Sequence, residues 1–124
     1  MALVLVVEDE PAVSRLLTKF LERAGHAVFM ADNGEEAMKL YLRHPIDVVV
    51  TDIQMPRGDG LELIGAIKGL FPDASIVAIS GQGSHQLQFA ELAGACITLT
   101  KPIGQRDLID AVEEAATPSP PATP

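Results

Sequence analysis

Three carboxylates, one hydroxyl and one ammonium stand at the ends of apolar runs in this chain of 124 residues. Glu8 and Asp9 follow residues 3–7, Asp52 follows 47–51, Ser80 follows 75–79, and Lys101 follows 95–100. The run through Val48, Val49 and Val50 suits a strand buried on both faces, and such a strand expels the chain at its carboxyl end, where open parallel sheets hold their ligands. Asp52 is therefore offered to a partner, although an Asp before a loop with Pro56 and Gly58 also suits a plain turn. Three carboxylates brought together repel unless a cation intervenes, and an all-oxygen cluster suits a small hard ion such as Mg²⁺. A carboxylate can attack phosphorus to form an acyl phosphate, provided the approach of an anionic donor is made electrostatically tolerable. Mg²⁺ and Lys101 would offset that charge, and the Ser80 hydroxyl could donate to a phosphoryl oxygen.

Composition narrows the classes. Hydrophobic residues make up 48% of the chain and charged residues 21%, which fits one soluble globular domain. Nine basic residues scattered among seventeen acids, for a formal charge of -8, argue against direct nucleic-acid binding. One cysteine, Cys96, cannot form an internal disulfide and reads as core filler. The opening run lacks a basic flank and meets Glu8-Asp9-Glu10, so neither a signal peptide nor a membrane span is expected, and the location expected is cytoplasmic.

The elements that must position these groups alternate. Apolar runs predict strands over residues 3–7, 27–31, 47–51, 75–79 and 95–100. Between them, Val13, Leu16, Leu17, Phe20, Leu21 and Ala24 recur at helical spacing up to Gly25, with Ser14 off that face. A second helix carries Ala37, Leu40 and Tyr41 and closes at His44-Pro45. A third carries Leu61, Leu63, Ile64 and Ile67 and ends near Phe71-Pro72, after a loop with Gly58 and Gly60. A weaker fourth, after the polar segment 82–86, carries Leu87, Phe89, Ala90 and Leu92. The last carries Leu108, Ile109, Val112 and Ala115. Such alternation predicts an α/β fold, a doubly wound five-stranded parallel sheet of order 2-1-3-4-5. Residues 1–116 form the domain, and the proline-rich residues 117–124 read as a tail or linker stub.

With these residues in order, the chain resembles the receiver domain of two-component response regulators, CheY-like and flavodoxin-like in fold. The residues that carry the resemblance are Glu8-Asp9, Asp52 with Met55-Pro56 and Gly60, Ser80, Gly94-Ala95 and Lys101-Pro102. It implies that Asp52 accepts a phosphoryl group from a sensor histidine kinase or phosphotransfer protein, in a phosphorelay or direct transfer. Asp9 and Asp52 would bind Mg²⁺ directly, Glu8 mostly through water, and the Gln54 backbone carbonyl would complete the protein ligands. Lys101 would pair with the phosphoryl group, and its bond to Pro102 is expected to be cis. The family couples phosphorylation to its output through Ser80 and an aromatic residue three positions before the lysine; Thr98 stands there and has no ring to swing. Output would pass through the face of the fourth helix, fifth strand and fifth helix, with homodimerisation on activation as one form. The chain would catalyse only its own phosphoryl transfer and dephosphorylation.

Rival readings have their own marks. A nucleotide or flavin binder wants a Gly, Ser and Thr phosphate cradle after the first strand, where this chain has three acids. An aspartyl-intermediate hydrolase would need an acid two residues after Asp52, where Gln54 stands. The remaining alternative is a receiver-like interaction module that works without phosphorylation. His26, His44 and His85 read as solvent-facing, and Met30, Met38 and Met55 as packing residues.

Overall fold

The structure, a computed structural model, describes residues 1–55, 60–81 and 86–117. Pro56, Gly58, the segment 82–85 with His85, and the tail after Thr117 lie outside the described residues, as does the side chain of Leu87. The elements run β1 (Leu3–Val7), α1 (Pro11–Arg23), β2 (Ala27–Ala31), α2 (Gly34–Arg43), β3 (Val48–Asp52), α3 (Gly60–Leu70), β4 (Ile76–Ser80), α4 (Gln86–Ala93), β5 (Ile97–Thr100) and α5 (Gln105–Ala116). The strands form one sheet in the order β2-β1-β3-β4-β5, every pairing parallel, as the alternation of apolar runs predicts.

Alternate residues of each strand feed opposite faces. Leu5, Val7, Val49 and Ala78 pack beneath Ala37 of α2, Leu63, Ile64 and Ile67 of α3, and Ala90 of α4. Val4, Val6, Val48, Val50 and Ile79 pack beneath Leu17 and Leu21 of α1 and Leu108 and Val112 of α5. Each such aliphatic side chain, once fully buried, contributes about 1.5–3 kcal/mol before entropy is counted. Strands β3 and β4 are buried along their whole length while β2 and β5 at the sheet edges are not. The two best-anchored strands therefore carry Asp52 and Ser80.

Local chemistry sets the element ends. Pro11 opens α1, and Gly25, at φ +92°, turns the chain out of it. Asn33 caps α2 by accepting from the Glu36 N–H at 2.8 Å. Beyond α3, Lys68 Nζ donates to the carbonyls of Pro72 at 2.7 Å and Ala74 at 2.9 Å, closing the turn into β4.

Several sequence expectations shift. β3 starts at Val48 and includes Asp52, because Asp47 instead turns its Oδ2 to the Leu3 N–H at 2.7 Å. β5 starts at Ile97, because Ala95 N–H returns to the Ala90 carbonyl at 2.9 Å through Gly94 at φ +120°. Cys96, just outside this edge strand, is exposed and fills no core. On α1, Ser14 and Thr18 are buried and Leu16 is exposed, since α1 turns its smaller side chains inward beside Leu17 and Leu21. Met30 is half exposed on the edge strand β2, and His26 is buried and does not face solvent. His44 stacks on Phe29, ring centroids 4.2 Å apart. The fourth helix is the shortest, eight residues, with Phe89 and Leu92 exposed.

One glycine is fixed by a close approach. A Cβ on Gly60 would collide with the Asp52 carbonyl oxygen and lie 2.6 Å from Ile53 Cα, so the start of α3 rests on the backbone that presents Asp52. Gly65, in the same helix, has open space around it. Gly60→Ala is expected to destabilise the fold by about 2 kcal/mol or more and to shift the Asp52 backbone resonance. Gly65→Ala should stabilise it by about 0.5–1 kcal/mol, as read by denaturant unfolding. Equal effects at the two positions would contradict the contact.

Candidate functional site

The strand ends bring the predicted side chains together. β1 delivers Glu8, whose N–H continues the ladder to the Ala31 carbonyl at 3.0 Å. Burial leaves Glu8 2% exposed and Asp52 4% exposed, an unusual depth for carboxylates. Each of Glu8, Asp9 and Asp52 offers a carboxylate oxygen, and the three oxygens lie within 4.8 Å of one another. Lys101 enters from the end of β5. Its N–H donates to the Ser80 carbonyl at 2.7 Å, and its bond to Pro102 is cis.

Lys101 Nζ donates to Asp52 Oδ2 at 3.0 Å and stands 3.3 Å from Glu8 Oε2, an ion pair without a directed hydrogen bond. Asp52 Oδ1 accepts from the Gln54 N–H at 2.9 Å, and Glu8 Oε1 accepts from the Glu10 N–H at 3.3 Å. Burial, and then the charge of Asp52, push the Glu8 carboxyl up to about 7, against the downward pull of Lys101 and the Glu10 N–H. For Lys101, burial pulls the ammonium down, but its hydrogen bond and charge attraction to Asp52, with the charge of Glu8, hold it above its ordinary value. The lysine stays charged.

Ser80 is fully buried and its Oγ has no hydrogen-bond partner, so a donor stands uncommitted at the end of β4, next to β3. Gln54 reaches across to the same loop, its Oε1 accepting from the Gly81 N–H at 3.4 Å. Thr98 lies on β5 opposite Ala78, half-buried. The donor set meets the demands of a hard cation. It is all oxygen, and Glu8 Oε2 is a buried carboxylate oxygen with no hydrogen bond, which an Mg²⁺ ion with its waters would satisfy.

A groove of about 550 Å³ opens beside Glu8 and Asp9, walled by Arg15, Met30 and Asp32 among others. Its Asp32, just past the end of β2, is not among the strand-end residues that the sequence points to. The order with β2 beside β1 carries the signal that would have found it.

Comparison with known proteins follows the same line. The family described as response regulator receiver domain matches residues 4–113. The chain is 34% identical over 112 residues to the response regulator receiver protein CpdR of Brucella abortus, covering 90% of this chain and 93% of that protein. It is 31% identical over 120 residues to the transcriptional regulatory protein GlrR of Escherichia coli, covering 96% of this chain but only 27% of GlrR. The chain thus spans about a quarter of that longer relative. Among solved structures, the response regulator protein TrrA of Thermotoga maritima, in complex with Mg²⁺–BeF, superposes with a TM-score of 0.85 at 32% identity, covering 93% of this chain and 99% of that one. A parallel sheet of order β2-β1-β3-β4-β5 with its acids at the strand ends, and relatives of this kind over nearly the whole length, make the chain a member of the response regulator receiver domain family of two-component signal transduction.

Proposed function

We propose that Asp52 accepts a phosphoryl group from a sensor histidine kinase or phosphotransfer protein and that the modified chain acts as a signalling switch. The observation that supports this best is the buried Asp52 carboxylate, within 4.8 Å of the Glu8 and Asp9 carboxylates and 3.0 Å from Lys101 Nζ. An Asp52 oxygen forms the new bond to phosphorus as the bond from phosphorus to the donor imidazole breaks. The imidazole leaves with that electron pair, and the product is an acyl phosphate. Water later attacks phosphorus, releasing phosphate and restoring the carboxylate. The chain thereby transforms itself and turns over no separate metabolite.

Glu8, Asp9, Asp52 and the Gln54 backbone carbonyl would hold Mg²⁺, which when bound offsets the charge of the carboxylates and of the phosphoryl oxygens. Lys101 follows the transferred group, exchanging its carboxylate partner for a phosphoryl oxygen. Ser80 donates its free hydroxyl to another phosphoryl oxygen. That movement draws the end of β4 toward Asp52, and Thr98, with a short side chain, follows without a ring to rotate. Output toward a downstream target then passes through α4, β5 and α5, where Phe89 and Leu92 are exposed, with homodimerisation as one form. Residues 1–116 make up the unit, in the cytoplasm, with no direct nucleic-acid contact. The Thr98 substitution favours a second reading, an interaction module that works without phosphorylation.

The first of two experiments separates these readings, and the second tests the electrostatics of the site. Incubation with a small-molecule phosphodonor and Mg²⁺ should add one phosphoryl group by intact mass, and the adduct should vanish without Mg²⁺ and in Asp52→Asn. Absence of any adduct in rapidly quenched wild-type protein would favour the interaction module. The second uses the metal-free protein. The Glu8 carboxyl is raised to about 7 in the fold against 4.5 unfolded, so the folded state binds the extra proton between those values. Its contribution is present in full below the unfolded value and is lost as pH rises through about 7. Glu8→Gln should therefore be more stable than wild type at alkaline pH and show a flatter stability profile between pH 5 and 8, roughly. Parallel profiles would contradict the buried, proton-holding Glu8.

A further inference from the structure

At the opposite end of β1 from Glu8 lies a second titratable arrangement. The His26 side chain is 5% exposed, and its Nδ1 accepts from the Ala2 N–H at 3.0 Å. An acceptor at Nδ1 places the ring proton on Nε2 in the neutral form. Nε2 has no hydrogen-bond partner and stands 3.5 Å from Glu113 Oε2, on the last turns of α5. The His26 N–H is tied to the Leu21 carbonyl of α1 at 3.1 Å. The imidazole thus bridges the entry to β1 and α5, while the His26 backbone is tied to α1.

Among the described residues, the ring meets the Ala2 amide just before β1 and the Glu113 carboxylate of α5, and α1 gives its Leu21 carbonyl to the His26 backbone amide. A cavity of about 370 Å³ adjoins the ring, lined by Met1, Ala2, Glu113, Ala116 and Thr117. Among the described residues Glu113 is its one charged side chain, with Met1 carrying this chain's amino group. The next amide along, Leu3 N–H, belongs to Asp47 Oδ2.

From this geometry we infer that His26 is a proton-operated latch between β1 and α5, a second input to the output helix that needs no phosphorylation. Protonation at Nδ1 turns an acceptor into a donor facing the Ala2 N–H, so that contact must open. The same event gives the ring a full charge toward Glu113 and tightens the hold on α5. A fall in pH exchanges one anchor for the other.

The test is nuclear magnetic resonance on the full chain from about pH 8 downward, across the ordinary histidine range. At the alkaline end the His26 ring nitrogens should report the Nε2–H tautomer. As the ring protonates, exchange of the Ala2 amide, corrected for its intrinsic pH dependence, should rise by roughly tenfold, the equilibrium weight of one ordinary hydrogen bond. The Leu3 amide, held by Asp47, should not follow. Because Glu8 titrates up to about 7, the Ala2 response must disappear in His26→Asn. Glu113→Gln, at an exposed position, should keep the Ala2 response and abolish the accompanying shifts at Ala116 and Thr117. An Nδ1–H tautomer, an Ala2 amide indifferent to ring protonation, or α5 shifts that survive Glu113→Gln would each overturn the latch.

Discussion

Two carboxylates buried almost completely around one ammonium form the constraint on which the rest of this structure depends. At an effective dielectric near 20, like charges about 5 Å apart repel by roughly 3 kcal/mol per pair, and Lys101 attracts each near carboxylate by roughly 5 kcal/mol. Mutual repulsion among Glu8, Asp9 and Asp52 and the attraction of Lys101 then come out comparable. The desolvation of Glu8 and Asp52 is left uncovered, and the raised Glu8 carboxyl is its expression. The cluster is therefore a standing demand for positive charge, which a divalent cation would meet.

A site under that tension needs a rigid frame. Asp52 ends the central strand, β3, with helices over both faces, and α3 starts in van der Waals contact with its backbone at Gly60. Lys101, by contrast, hangs on the edge strand β5 and is held to Ser80 through one backbone hydrogen bond. Asp52 and Ser80 are thus held on fully buried strands, and Lys101 is the one member of the cluster that enters from a sheet edge.

Much of this was legible in the sequence because a parallel sheet collects the carboxyl ends of its strands in one place. Runs such as Val48 to Val50 mark central strands, and the polar or charged residue that follows each run falls at the shared edge. The matching order of β2-β1-β3-β4-β5 needed only the alternation of five strands with helices and the chain length. What could not be read was set by contacts between distant segments. His26 looks like a loop histidine until α5 folds over it with Glu113 and the chain start supplies an amide. Ser14 looks polar and outward until α1 is seen to bury it beside Leu17 and Leu21. Cys96 looks like core until the edge strand β5 leaves it in solvent. In each case the residue type argued correctly for an average environment, and tertiary packing supplied another.

The most direct measurement of the central claim is the unfolding free energy at mildly alkaline pH as Mg²⁺ is raised. If the acidic cluster is a cation site under electrostatic tension, stability should climb with the logarithm of Mg²⁺ concentration, by about 2.7 kcal/mol at a hundredfold excess over the dissociation constant. Asp9→Asn should abolish the climb. A wild-type stability that does not respond to Mg²⁺, or responds equally in the variant, would contradict the account.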